Sequence, residues 1–314
     1  MSNLFANIVG QDSAKRKMEF YLNGYNSTNI IPHLMFVAPK GCGKTTIAKA
    51  MAKNLIPFDE TKHKRLLEIN CSTIKGIRQF INQLIIPEVT DKDITILFDE
   101  ASELPKDVTM ALLTMLNPNS ANKNTFTYDD LVIDFDFSRQ SFLFATTEAQ
   151  RIFHALMDRL ERVDLEEYTH AHLSEIMRKS LPDVTFEGDV LVQVSSVLRG
   201  NARQAQKMAA NISSYLHHKG QKKFDVSDWE SLIDSLGILP LGVNRIELQI
   251  LNILSTKKES SLTSLSAKTG LTRECIQKDF ELYLQKLNLM EITTAGRSLT
   301  AKGSEYVKCQ RWMS

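Results

Sequence analysis

One eight-residue segment constrains this chain more than any other. Ala38-Pro39-Lys40-Gly41-Cys42-Gly43-Lys44-Thr45 lies between an apolar run at 33–37 (HLMFV) and an amphipathic stretch at 46–54. In that stretch Ile47, Ala48, Met51 and Ala52 recur at helical spacing. Strand, glycine-bearing loop and helix in that order, with Gly-Lys-Thr at the helix start, have the spacing of a phosphate loop of the Walker A type, with Ala38 in place of the first glycine. Gly41 and Gly43 let backbone N–H groups turn toward a phosphate with no Cβ in the way. The helix aims its positive end at the same point. In this reading Lys44 reaches the β- and γ-phosphates of ATP and the Thr45 hydroxyl holds Mg²⁺. Ala38, Pro39, Lys40, Cys42 and Thr46 complete the nucleotide-binding loop.

Such a loop requires a buried strand feeding directly into a helix. Further strand patterns at 66–70, 94–98 and 141–145 alternate with amphipathic stretches, which predicts an α/β domain over 1–168 with a parallel sheet covered on both faces. The run Thr95-Ile96-Leu97-Phe98 ends in Asp99-Glu100, a Walker B pattern. A buried strand delivers carboxylates at its C-terminal edge, where open α/β sheets bind ligands. Asp99 is expected in the magnesium shell, and Glu100 is expected to orient the attacking water.

From 169 to 238 the strand signal disappears, and segments at 173–179, 188–199, 202–217 and 227–236 read as helices of a small all-helical domain. Leu239-Pro240-Leu241-Gly242 breaks the pattern. Beyond it, amphipathic segments at 245–255, 261–268 and 272–287 precede β-branched residues on either side of Ala295-Gly296. Three helices and a hairpin describe a winged helix over 239–314. A second hairpin is predicted within 117–140, around Asp129-Asp130.

The 314 residues carry 38 Lys+Arg against 37 Asp+Glu, a net charge of +1, which excludes a polycation that coats nucleic acid by bulk charge. The balance is uneven along the chain. Residues 239–314 hold 11 basic against 7 acidic residues, and residues 91–136 hold 3 against 10. Any DNA contact must therefore be local, and the C-terminal domain is the place for it. Four cysteines without a CxxC pair suggest neither a zinc site nor a disulfide framework. With no leader-like stretch at the N-terminus and no apolar run of membrane-spanning length, the expectation is a soluble, cytoplasmic protein.

The two Walker segments, Phe144-Ala145-Thr146-Thr147 and Asp158-Arg159-Leu160 resemble the AAA+ ATPases, and within them the RuvB family of Holliday-junction branch-migration motors. The resemblance runs nearly the whole chain. Phe5-Ala6-Asn7-Ile8-Val9-Gly10-Gln11 is similar to the family's adenine-side segment, Asp164-Leu165-Glu166-Glu167-Tyr168-Thr169 to its domain junction, and Arg199-Gly200-Asn201-Ala202-Arg203 to its sensor motif. It implies an AAA+ ATPase domain at 1–168, a helical lid at 169–238 and the winged helix. It implies that Ile8, Val9 and Tyr168 bind the nucleotide, that Thr147 beside Thr146 reads the γ-phosphate, and that Arg203 contacts nucleotide in its own subunit. It further implies that Arg159 is an arginine finger given to the neighbour's ATP in a hexameric ring.

For partners, the resemblance implies branched or duplex DNA and a RuvA-like adaptor docking on the 117–140 hairpin. The apolar residues of that hairpin either dock such a partner or pack on their own domain. The winged helix binds DNA, through Arg273, Lys278 and an Arg297 at the wing tip, or binds protein. A replication-initiator or helicase-loader type of switch shares the same domain order and is the alternative to a motor.

Overall fold

The computed structural model describes residues 4–56, 63–257 and 259–311. The chain divides into two compact units, Met1–Ser180 with Gly200–Ala209, and Leu181–Arg199 with Ala210–Ser314. Among the described residues no helix is long and apolar enough to cross a membrane.

The first unit is built on a five-stranded, wholly parallel sheet. Its strands are β1 (Leu34–Val37), β2 (Arg65–Asn70), β3 (Ile94–Asp99), β6 (Gln140–Thr146) and β7 (Glu161–Asp164), in the order β2-β3-β6-β1-β7. The hairpin strands β4 (Lys123–Tyr128) and β5 (Leu131–Asp136) stand apart from this sheet. Every residue of β6 is buried and β3 is buried up to its last residue, as near-continuous apolar runs in a doubly covered sheet should be. Phe98 stacks on Phe144 across the β3–β6 pair, with centroids 4.9 Å apart. β7 escapes the sequence reading because Glu-Arg-Val-Asp carries a single buried side chain, Val163. An edge strand of four residues needs no apolar run. The hairpin forms as predicted, with Asp129 in the left-handed region. Ile133 and Phe135 are buried in the core of their own unit and Phe126 and Tyr128 pack against it, whereas Leu131 and Val132 point outward.

In the second unit the helices are joined by a two-residue parallel ladder of β8 (Thr185–Phe186) and β9 (Lys223–Phe224), a strand contact too short to leave a pattern in the sequence. Helix Val226–Leu236 begins with a capping box, the Asp225 carboxylate accepting from the Asp228 N–H. The winged helix follows: Arg245–Thr256, Leu262–Thr269, a helical run over 273–286, then β10 (Met290–Ile292) paired antiparallel with β11 (Arg297–Leu299). A last helix, Ala301–Arg311, was not anticipated.

Arg199 is tied to this domain. Its guanidinium makes a two-pronged ion pair with Glu247, which is fully buried, donates to the Gly242 carbonyl, and lies 4.0 Å over the Tyr283 ring. Tyr283 in turn donates to the Leu241 carbonyl at 2.6 Å.

The wing requires a correction. Arg297 was expected at the hairpin tip, free to enter a DNA groove. It instead opens β11, opposite Ile292, and the turn is made by residues 293–296. Its guanidinium forms a bidentate pair with Glu281 on the preceding helix, at 2.7 and 3.1 Å, with side-chain exposures of 13% and 3%. A carboxylate this deeply buried demands a counter-ion, and the ladder turns Arg297 inward to supply it. Arg297→Ala should therefore destabilise the winged helix by about 3 kcal/mol, because it leaves a buried charge alone. Adding Glu281→Leu should recover most of the loss. Urea unfolding followed by circular dichroism measures both, and an unchanged midpoint in Arg297→Ala would remove the structural role.

Candidate functional site

The site is assembled at the C-terminal edge of the parallel sheet. β1 ends at Val37, and the loop 38–43 returns into helix Lys44–Ala52. Gly41 and Gly43 lie at φ 83° and 87°, in the left-handed region that glycine enters at no steric cost. Ala38 and Cys42 are buried behind the loop, while Pro39 and Lys40 are exposed. The methyl of Ala38 is accommodated in the turn, and its N–H reaches the Thr146 carbonyl at 3.4 Å.

The Lys44 ammonium is folded onto its own loop, donating to the Ala38 and Pro39 carbonyls at 3.0 and 3.2 Å. Burial pulls it below the usual lysine range, against the opposing pull of Glu100 and Asp99. The Thr45 hydroxyl donates to Asp99 Oδ2 at 2.7 Å. Asp99 Oδ1 accepts from the backbone N–H of Glu100, which lies in the left-handed region at φ 54°. The strand end is thus turned so that consecutive acids both reach one cleft. That cleft, of about 180 Å³, is lined by Lys40, Gly41, Gly43, Lys44, Thr45, Thr46, Asp99, Glu100, Ala202, Arg203 and Gln206.

Arg203 enters the cleft because its segment is fastened to the loop. Its backbone N–H donates to the Gly41 carbonyl at 3.3 Å, and the Asn201 amide donates to the Lys40 carbonyl at 3.0 Å. Gln206 belongs to no charged or glycine pattern, and only the closure of 200–209 onto the loop 38–43 brings it in; Asn201, inside the Arg199–Arg203 motif, gains its partner on that loop the same way.

A second cleft of about 180 Å³ adjoins the first, sharing Gly43, Thr46, Ala202 and Gln206 with it. Ile8, Val9 and Tyr168 line its apolar side, with Ile176, Lys179 and Ser180 as further walls. Gln11 clamps the N-terminal segment to the 164–169 segment. Its side chain donates to the Glu166 carbonyl at 2.7 Å and accepts from the Glu166 N–H at 2.9 Å. Burial raises the Tyr168 phenol above its usual range.

The remaining expected residues lie outside both clefts. Thr146 is fully buried, its hydroxyl accepting from the Glu148 N–H, and Thr147 follows partly exposed at the sheet edge. Arg159 is held on the carbonyls of Leu113 and Ala155 and on the Asn117 side chain. In the winged helix, Arg273 is exposed at the start of the 273–286 run, and Lys278 pairs with Glu274 at 2.8 Å.

Positive-φ glycines, a lysine, a hydroxyl against a carboxylate, a second acid and an arginine around one cleft suit a polyphosphate. Known proteins agree. The AAA family (ATPase family associated with various cellular activities) matches residues 34–169, and the RuvB C-terminal winged helix domain matches 240–308. The Holliday junction branch migration complex subunit RuvB of Wolbachia sp. subsp. Brugia malayi is 24% identical, covering 96% of this chain and 91% of that protein. The protein of the same name from Fusobacterium nucleatum subsp. nucleatum is 23% identical, covering 97% and 91%. The solved Thermotoga maritima RuvB Holliday junction branch migration motor has the same fold, with a TM-score of 0.76, 20% identity, and coverage of 96% of this chain and 95% of that one. With an AAA module at 34–169, a winged helix of the RuvB type at 240–308, and similarity to RuvB proteins along nearly its whole length, the chain is similar to the RuvB group of AAA+ ATPases.

Proposed function

We propose that this ATPase drives branch migration of Holliday junctions as a ring, with the ATPase domain at 1–168, the lid at 169–238 and the winged helix at 239–314. The observation that carries the reading is the joining of Lys44, Thr45, Asp99, Glu100 and Arg203 in one cleft, in a chain whose winged helix is of the RuvB type. Lys44 leaves its loop carbonyls for the β- and γ-phosphates, a move made easy because those partners are neutral. The Thr45 hydroxyl and Asp99 carboxylate, 2.7 Å apart, fit a magnesium ion, which when bound neutralises phosphate charge. Glu100 orients and polarises the attacking water, and Thr147 reads the γ-phosphate. The apolar cleft at Ile8, Val9 and Tyr168 takes the adenine. Arg203 contacts the nucleotide of its own subunit.

Phosphoryl transfer needs positioning and charge stabilisation more than covalent chemistry, and an arginine finger supplies about 10³–10⁵ in rate. Arg159 plays that part toward the neighbouring subunit, which ties activity to a ring, expected to be a hexamer. Leu131 and Val132, 44% and 66% exposed at the hairpin, form the dock for a RuvA-like adaptor. With Arg297 committed to Glu281, DNA phosphates fall to Arg273 and Lys278.

A synthetic four-way junction with ATP, with and without a junction-binding adaptor, tests the function. Strand exchange is expected with wild type and not with Glu100→Gln. Its absence under all conditions would leave the switch-type alternative. Glu100→Gln should keep ATP affinity within about twofold while hydrolysis falls at least about a hundredfold. Unchanged turnover would strip Glu100 of its role. Mixing Arg159→Ala with Glu100→Gln subunits, each inactive alone, should restore turnover, since some interfaces then pair an intact finger with an intact site. Failure at every mixing ratio would argue that Arg159 does not act across subunits.

A further inference from the structure

Arg159 makes three hydrogen bonds to neutral acceptors. Nε donates to the Leu113 carbonyl at 3.0 Å, Nη1 to the Ala155 carbonyl at 2.6 Å and Nη2 to Asn117 Oδ1 at 3.0 Å. Among the described residues no carboxylate pairs with it, and the adjacent Asp158 faces His154 at 3.2 Å. Two of the three acceptors are backbone; Asn117 is the one side chain in the cradle.

Asn117 is itself held in place. Its carbonyl accepts from the Asn124 side chain at 2.8 Å and from the Asn119 side chain at 3.3 Å. The Asn124 amide also donates to the Met115 carbonyl at 2.9 Å, binding the root of the hairpin to the end of helix Lys106–Met115. Pro118 keeps Asn117 out of helical conformation, so the chain leaves the helix in a fixed direction. An exposed polar residue at a helix end would ordinarily be free to vary. Here it is anchored on both sides and points its acceptor at the guanidinium.

We propose that Asn117 is a positioning residue for Arg159, fixing the direction of the guanidinium before it meets a neighbour's phosphate. The proposal rests on the reading of Arg159 as the arginine given in trans. An arginine on a flexible stem must surrender rotamer freedom to reach a phosphate, and fixing it beforehand removes that cost from the reaction. Hydrogen bonds to neutral oxygens achieve this without the ion pair that a carboxylate would impose, so the cation's charge remains available.

The test uses the full-length protein with three variants: Asn117→Ala, Arg159→Ala and Glu100→Gln. Asn117→Ala should lower kcat about ten- to a hundredfold, with KM, ADP affinity and thermal midpoint unchanged. Its affinity for ADP with aluminium fluoride, a transition-state mimic, should fall while that for ADP alone does not. Mixed with Glu100→Gln subunits it should regain turnover, because the lost contact lies in the neighbour's site. If Arg159→Ala keeps full turnover, the finger reading fails and this proposal with it. If Arg159→Ala is inactive but Asn117→Ala keeps wild-type kcat, the finger stands and the positioning role is overturned. A kcat loss in Asn117→Ala accompanied by lower ADP affinity or a lower midpoint would mark an ordinary structural residue.

Discussion

The hydrogen bond from the Thr45 hydroxyl to Asp99 joins the two halves of this site. Thr45 is fixed by the start of a helix and Asp99 by the end of a strand, and each position follows from its own element. The 2.7 Å contact exists only because β3 and β1 both pair with β6, which lies between them in one parallel sheet. Move β3 by one register step and its side chains exchange faces. Lys44, Glu100 and Arg203 then have nothing to converge upon. The buried aromatic stack of Phe98 on Phe144 holds that register from below.

The charge pattern acquires a spatial meaning on this frame. The acidic stretch 91–136 begins on the strand that delivers Asp99 and Glu100 and ends on the hairpin beside them in sequence. Two of its acids share one cleft with three cations, Lys40, Lys44 and Arg203. Such a cleft holds a polyphosphate more tightly when its acids are screened by a cation, and the Thr45–Asp99 pair offers oxygen ligands for one. The basic C-terminal domain is less open than its net charge suggests, because Arg297 is spent internally.

Much of the site was legible in sequence because its chemistry lies in contiguous runs. The loop 38–45 and the segment 94–100 each carry their own geometry, and the buried runs 94–98 and 141–145 announce themselves by composition. What stayed hidden depends on contacts between distant residues. Arg297 looked like a wing-tip cation because its neighbours in sequence say nothing of Glu281, sixteen positions earlier. Gln206 gains meaning only when 200–209 closes on the loop 38–43. Asn117 is one asparagine among several until its acceptor is seen against Arg159. β7, with a single buried valine, is a strand by pairing rather than by pattern.

The anchoring of Arg199 bears on how the protein can be dissected. The segment 239–243 looks like a linker, and its proline and glycine invite a cut there. Yet the fully buried Glu247 takes its counter-ion from Arg199, upstream of that segment, and the Gly242 carbonyl shares the same guanidinium. A fragment beginning at Leu239 would carry a buried carboxylate without its cation and a Tyr283 ring without the group stacked on it. The winged helix is therefore a domain by homology but not by electrostatics: its natural boundary lies forty residues earlier than its sequence break, on the N-terminal side of Arg199.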